Sequence, residues 1–300
     1  MFITNHRGFF FWLTGLILAG AVGAILFWGL PLGLDFTGGS LVHVSYENGR
    51  PALADIQEQV DTVSLGVVSV RAFGEDGVSL RSRTLTPEEH TALLAAISTD
   101  ALATELSYTS VGPALGSQFT NKALWAIFAV VLVIVLYIAF AFRKVSRPVP
   151  SWGYGITVVA MLTIDLIVPA GFFAAYAHVT GAEVDSLFVV AMLALLGYVV
   201  NDIIVIFDRV REHLARNEKL GFKESFEDTI GKSIDETMTR SINTSLTVVL
   251  ALIALIYFGA EATRNFALVM LVGVVAGTFS SITRSAPLLI PLAKWFDRKN

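Results

Sequence analysis

Six stretches of this chain are long and apolar enough to cross a bilayer, and that pattern limits its architecture more than any other feature. A hydrocarbon core about 30 Å thick takes about 20 helical residues at about 1.5 Å each. The stretches run from Phe9 to Leu30, Ala123 to Phe142, Tyr154 to Tyr176, Ser186 to Phe207, Ser241 to Phe258 and Asn265 to Leu292. Lipid offers no hydrogen bonds, so each segment must satisfy its own backbone as a helix. The expected fold class is a polytopic α-helical membrane protein with six transmembrane helices. Composition agrees, with 54% hydrophobic and only 15% charged residues among 300. Small residues at Ala19, Gly20, Ala21 and Gly23 resemble a signal-peptide cleavage region, but the first run outlasts an h-region of about 7 to 15 residues, so an uncleaved span is expected.

Composition also removes function classes. With no cysteine there are no disulfides, thiolates or cysteine metal sites, and five scattered histidines offer no ligand spacing. A net charge of -4 without a basic cluster over aromatics leaves nucleic-acid binding unsupported. A phosphate loop, metal-ligand spacing and a nucleophile paired with a base are all missing from the sequence, so an ion gradient rather than ATP is the expected energy source and no cofactor is expected.

Lys and Arg in the short connections set orientation. Arg143, Lys144 and Arg147 follow the second stretch. Arg209, Arg211, Arg216, Lys219, Lys223, Lys232 and Arg240 follow the fourth, and Lys294, Arg298 and Lys299 follow the last. The opposite connections carry only Arg264 between the last two spans and none between Ala177 and Asp185. Both termini are therefore expected on the cytoplasmic side.

Residues 31–121 are polar enough to fold in water, with eleven acidic residues against four arginines, a balance compatible with export. Leu41 to Tyr46 alternates as a strand, and Pro51 to Ser64 reads as a helix with Leu53, Ile56 and Val60 inward. Val67 to Phe73 and Val78 to Arg83 flank a turn at Gly74 to Gly77. Thr86, Pro87 and Glu89 spell a helix start, Leu93, Leu94 and Ile97 its buried face, and Thr104 to Val111 a last strand. The βαββαβ order predicts one small ferredoxin-like extracytoplasmic domain. His43 and His90 are isolated and read as surface or half-buried residues. An extended polypeptide along a sheet edge is a physical possibility for such a unit.

Charges inside spans need a partner, water or a proton. Asp165 lies about 16 Å of helix beyond Tyr154, close to mid-span, and Asp202 lies about 9 Å before the Asp208–Arg209 pair. Both are read as buried carboxylates that change protonation or ion occupancy, against a static role in packing. The apolar run Leu246 to Phe258 is too short to span, so the membrane must draw in the residues before it. Arg240, Asn243, Thr244, Thr247 and Ala251 then share one helical face, expected to turn toward the bundle interior, with a snorkelling anchor as the alternative for Arg240. Arg284 reads as a snorkelling or subunit-facing residue without an assigned role. Asp208, Arg209, Arg211 and Glu212 read as a solvated helix end. Phe222, Phe226, Ile230 and Ile234 recur every four residues among charges, as in an amphipathic helix along the cytoplasmic face or, equally, a packed intracellular helix.

Gly33-Leu34-Asp35-Phe36-Thr37-Gly38-Gly39 after the first span, Val111-Gly112-Pro113 before the second, Gly197-Tyr198-Val199-Val200-Asn201-Asp202 continuing to Glu212, and Arg240-Ser241-Ile242-Asn243-Thr244-Ser245-Leu246-Thr247 together resemble the bacterial SecD/SecF protein-export family, on its SecF side. With the hydropathy order, the resemblance covers nearly the whole chain. It implies half of a bundle of the resistance-nodulation-division type, a SecD partner supplying six further spans, and a proton-driven role beside the SecYEG channel on an unfolded translocating polypeptide in the bacterial cytoplasmic (inner) membrane. Asp202 and Arg240 match the family's fourth-span aspartate and fifth-span arginine tied to proton conduction, and Asp165 matches an acidic third-span position. With Asn201, Thr244 and Thr247 these make the expected proton pathway. Two departures stand out: Ile164 replaces the histidine that often precedes the third-span aspartate, and Arg284 replaces an apolar or small residue.

The expected organisation is residues 1–30 as cytoplasmic N-terminus and first span, 31–121 as extracytoplasmic domain, 122–210 as three spans, 211–240 as a cytoplasmic amphipathic linker, and 241–300 as two spans and a tail. Two rival readings are an ion-driven small-molecule exporter half and a passive membrane scaffold.

Overall fold

The computed structural model describes residues 2–47, 49–98, 102–142, 148–222 and 224–297. Arg143, Lys144, Arg147, Lys223, Arg298 and Lys299, which entered the orientation argument, lie outside the described residues. In chain order the elements are α1 (Phe2–Asn5), α2 (Arg7–Trp28), α3 (Leu34–Thr37), β1 (Gly39–Tyr46), α4 (Leu53–Asp61), β2 (Ser69–Phe73), β3 (Gly77–Ser82), α5 (Pro87–Ile97), β4 (Ala103–Val111), α6 (Pro113–Ala141), α7 (Ser151–Thr180), α8 (Ser186–Leu220), α9 (Phe226–Phe258), α10 (Glu261–Ser280), a π-helical turn (Ser281–Ser285) and α11 (Leu289–Asp297). They form two compact units, one of residues 32–124 and one of the remainder.

In the smaller unit the strands align β2-β3-β1-β4, every neighbouring pair antiparallel, which is the ferredoxin-like order. Alternation puts Val42, Val44 and Tyr46 of β1 and Val78 and Leu80 of β3 on the face covered by Ile56 and Val60 of α4 and Leu93 and Ile97 of α5. The Tyr46 hydroxyl ends on the Ile97 carbonyl at 3.3 Å. Thr86 and Glu89 cap α5 reciprocally, as their spacing requires. His43 stacks on Phe73 at 4.1 Å, and His90 stacks on Tyr108 at 4.0 Å beside Glu105, so both histidines are packing groups of the sheet and its helices.

The glycine-rich segment is a structural joint. Gly38 and Gly39 hold φ of +70° and +122°, and a Cβ on Gly39 would lie 2.6 Å from the Ser82 carbonyl oxygen. Arg81 fastens the single turn α3 by donating to Thr37 Oγ1 at 2.8 Å and to the Leu32 carbonyl at 3.1 Å.

Among the described residues six helical segments have the length and apolarity of membrane spans: α2, α6, α7, α8, α9 and the run from α10 through α11. The interior belongs to α7, α8 and the last segment, whereas α2, α6 and α9 are largely exposed. Small residues bring the central helices close. A Cβ on Gly171 of α7 would collide with Ala21 of α2 at 2.5 Å, and Cβ atoms on Gly273 and Gly277 of α10 would strike Leu195 and Val199 of α8 at 2.3 and 2.5 Å. Phe142, Tyr154 and Phe207 close one end of the core as an aromatic trio. At that end Glu227 accepts from both Arg7 and Lys294 at 2.9 Å. At the other, Trp28 stacks on His178 and the Val184 amide donates to the Pro31 carbonyl at 2.8 Å.

Two expectations about the spans require correction. The amphipathic pattern does not form a separate helix along a membrane surface in residues 211–240. The fourth span continues to Leu220, and Phe226, Ile230 and Ile234 are the opening turns of the same helix that becomes the fifth span. Ile230 and Ile234 are buried against the bundle, so of the two readings the packed intracellular helix holds, and intramolecular packing rather than a lipid surface supplies the apolar partner. The sixth span is also interrupted, by the π turn and the bend that follows it at Ala286–Leu288.

Candidate functional site

The interruption of the last span defines the site. A π turn carries one extra residue per cycle, which rotates the side chains that follow relative to a continuous α-helix. Ser281, at its start, donates its hydroxyl to Asp202 Oδ2 of α8 at 3.3 Å. Arg284, three residues later, reaches Asp165 of α7, with Nη2 3.6 Å from Oδ1. The relative exposures of Asp202, Asp165 and Arg284 are 4%, 3% and 5%. One five-residue turn therefore touches both buried carboxylates of the bundle.

Arg284 neither snorkels nor faces a subunit surface, which corrects the expectation for it. The guanidinium stays inside because Asp165 supplies a counter-charge there, and because the π turn aims it inward. The pair is loose: among the described residues both Asp165 oxygens and Arg284 Nε and Nη1 are buried without a hydrogen bond of ordinary geometry, and Ser280 lies beside Asp165.

On the far side of Asp202, hydroxyl groups continue the polar seam. Tyr198 donates to Ser245 Oγ at 2.7 Å, Ser245 meets Thr278 Oγ1 at 2.5 Å, and the one hydroxyl hydrogen of Ser281 is shared between Asp202 Oδ2 and the Thr278 carbonyl, the latter at 3.0 Å. Ser241 of α9 is buried at the same interface.

The polar stripe on α9 does not face the interior of these six helices. Arg240, Asn243, Thr244 and Thr247 are exposed, as is Asn201 of α8, while Ser241 and Ser245 take the inward positions. Helical spacing had grouped the stripe correctly but left open which side of α9 would meet α8 and α10. The small hydroxyls pack at the close crossing and the bulkier polar groups remain outside.

A cavity of about 560 Å³ opens between α6, α8 and α9, lined by Tyr137, Phe142, Ile204, Asp208, Arg211 and Arg240 among others. Within it Arg211 pairs with Asp208, and Arg209 pairs with Glu212 and with Glu236, which also meets His213 at 3.1 Å. Arg240 is the lining cation without an ion pair among the described residues, and it lies near enough to Asp202 to act on it through space. The arrangement offers one buried carboxylate with a hydroxyl donor, a second carboxylate with a paired cation, and a cavity whose lining includes Arg240.

The sequence pattern points to the two acids and Arg240 but not to Ser281, Ser245, Thr278 and Tyr198, which the structure places around Asp202. The signal was the spacing of Thr278, Ser281 and Ser285, which sets hydroxyls three and four residues apart in the last span.

Residues 91–295 match the family described as protein export membrane protein SecD/SecF, C-terminal, and residues 23–49 match the SecD/SecF GG motif. The protein translocase subunit SecF of Thermobaculum terrenum is 36% identical over 302 residues, spanning 96% of this chain and 92% of that protein. The same subunit of Synechocystis is 34% identical, spanning 89% and 84%. The crystal structure of SecDF from Thermus thermophilus, a translocon-associated membrane protein, superposes with a TM-score of 0.82 at 26% identity, covering 97% of this chain and 38% of that one. With its six spans, its glycine joint and a family match across more than half its length, this chain belongs to the SecD/SecF family.

Proposed function

We propose that this chain is the SecF-type half of a proton-driven export machine, in which Asp202 loads and releases the proton. The observation that carries the reading is Asp202 itself, a carboxylate 4% exposed, deep in the bundle, accepting from the Ser281 hydroxyl at 3.3 Å and within electrostatic reach of Arg240, a cavity-lining cation. A carboxylate at such depth requires a proton, water or a cation. Arg240 lies within electrostatic reach of Asp202 and repels other cations from the approach to it. Asn201, Thr244 and Thr247 are exposed polar groups of the same two helices, available to the proton, and Asp165 is the second buried carboxylate of the bundle.

The exposed stripe of α9 supports a SecD partner. Polar groups facing lipid at mid-span are costly, and a second six-span half covers them. The solved SecDF chain, of which this architecture matches 38%, is long enough to contain such a half. The charge on Asp202 then biases the packing of the two halves. A proton moving across the membrane is worth about 2.3 kcal/mol per 100 mV, enough to invert two states separated by that much.

The membrane is the bacterial cytoplasmic (inner) membrane, with the Lys- and Arg-rich connections and both termini cytoplasmic and residues 31–121 outside. There the sheet, whose edge strands are β2 and β4, is available to an extended translocating polypeptide emerging from SecYEG. The role is that of a transport accessory driven by a gradient.

Proton-dependent export into inverted membrane vesicles, assembled with SecD and SecYEG, tests the reading. Asp202→Asn is expected to abolish the stimulation of export by the proton gradient and leave ATP-driven export intact. Full gradient-driven activity in that variant would refute it, and loss only on deleting residues 31–121 would favour a passive scaffold.

A further inference from the structure

We propose that Arg284 is a positioning residue that keeps Asp165 permanently ionised, so that the two buried acids divide into one fixed anion and one proton carrier, Asp202. The proposal deepens the proton-coupling reading and rests on it.

Charge balance comes first. A guanidinium keeps its proton in proteins, and this one is 5% exposed within the bundle. Among the described residues Asp165, at 3.6 Å, is the acid within ion-pair distance of it. The elements packed around the pair supply little else. From α8 comes Asp202, engaged by Ser281; from α9 comes Arg240, which is exposed; from α2 comes the uncharged Thr14, its Arg7 being bound to Glu227; from α11 comes Lys294, also bound to Glu227. Protonating Asp165 would therefore strand a buried cation, the arrangement that costs most in a low-dielectric interior. An ionised Asp165 leaves the pair neutral overall.

Geometry gives the pair its influence on Asp202. Asp165 and Arg284 exchange no direct hydrogen bond, so charge is what seats the Arg284 end of the π turn. The other end of that turn presents Ser281 to Asp202. Neutralising either member of the pair frees the turn and with it the hydroxyl on Asp202.

Infrared spectroscopy of the full chain reconstituted in lipid at neutral pH, with labelled aspartate, tests the assignment. The wild type is expected to show no protonated-carboxyl band that Asp165→Asn removes. Arg284→Gln is expected to create such a band, the double variant Asp165→Asn with Arg284→Gln to lack it, and Arg284→Lys to keep the wild-type spectrum. Should either single variant fold poorly, recovery from membranes gives a second measure: several-fold losses for each single change, and near wild-type levels for the double. A protonated-carboxyl band in the wild type that disappears in Asp165→Asn would overturn the proposal, as would unchanged recovery of both single variants. Asp202→Asn separates the two readings. If it retains gradient-driven export while the Asp165 bands behave as described, the proton-carrier role falls and the counter-ion role stands.

Discussion

Ser281 donates to Asp202 from the first position of a π turn whose fourth residue, Arg284, pairs with Asp165. Two carboxylates on different helices thus share one short support. Hydrogen bonds to charged groups contribute roughly 1.5–3 kcal/mol, so Ser281→Ala is expected to reduce gradient-stimulated export by about tenfold or more, with Ser281→Thr retaining most of it. Initial rates in vesicles with an imposed proton gradient measure the effect.

Gly171 tests the packing that holds the central helices. Its hypothetical Cβ lies 2.5 Å from both Cα and Cβ of Ala21, so Gly171→Ala must push α2 away from α7. Overpacking of this kind costs about 1–3 kcal/mol. The variant is expected to unfold at a lower temperature in detergent, whereas Gly15→Ala, at an open position of α2, is expected to match wild type or exceed it slightly.

Gly39 tests the joint at the start of the sheet. Gly39→Ala combines an unfavourable φ with a 2.6 Å clash against the Ser82 carbonyl, while Gly66→Ala has the unfavourable φ and no clash. The first is expected to destabilise the smaller unit by more than about 2 kcal/mol and the second by about 1–2 kcal/mol. Limited proteolysis of residues 32–124 in the full chain reads the difference.

Acid should loosen the start of α5. Hydrogen bonds from the Arg83 guanidinium and the Thr86 amide hold Glu89 down from 4.5 to about 2. Its folded value is depressed, so its contribution is present above about 4.5 and is lost as pH falls toward about 2. Amide exchange at residues 86–90, corrected for intrinsic rates, is expected to accelerate across that window, and Glu89→Gln to remove the dependence. Because Glu89 is solvent-exposed the change should be local.

The absence of cysteine makes the partner surface directly testable. Asn243→Cys is expected to crosslink to a SecD partner carrying a single introduced cysteine, and Ser245→Cys, turned inward, is expected not to. Equal crosslinking at both positions would contradict the assignment of the α9 stripe to an interface.

Much of this architecture was legible because its causes are local. Span length, alternation in β1 and β3, and the Thr86–Glu89 box each depend on residues close in sequence, and the helices and strands formed where those patterns lay. Asp165 and Asp202 were legible because a carboxylate among aliphatic residues violates the solvent preference of a span. What escaped depended on partners far apart in the chain. Nothing near Arg284 indicates that Asp165 will stand opposite it, 119 positions earlier. Nothing in the periodicity of α9 indicates whether Ser241 or Arg240 will meet the neighbouring helices. The two departures from the family pattern, Ile164 and Arg284, turn out to flank or form the same buried pair.

The Glu227 carboxylate joins Arg7, at the opening of the first span, to Lys294, near the end of the last. Partly exposed pairs of this kind contribute little energy, so their significance lies in timing. A chain inserted in order from its N-terminus holds Arg7 and Glu227 in the membrane well before Lys294 is made. The three-way contact closes only after the last of the six spans has been made, so it forms later than the packing of any earlier pair of helices.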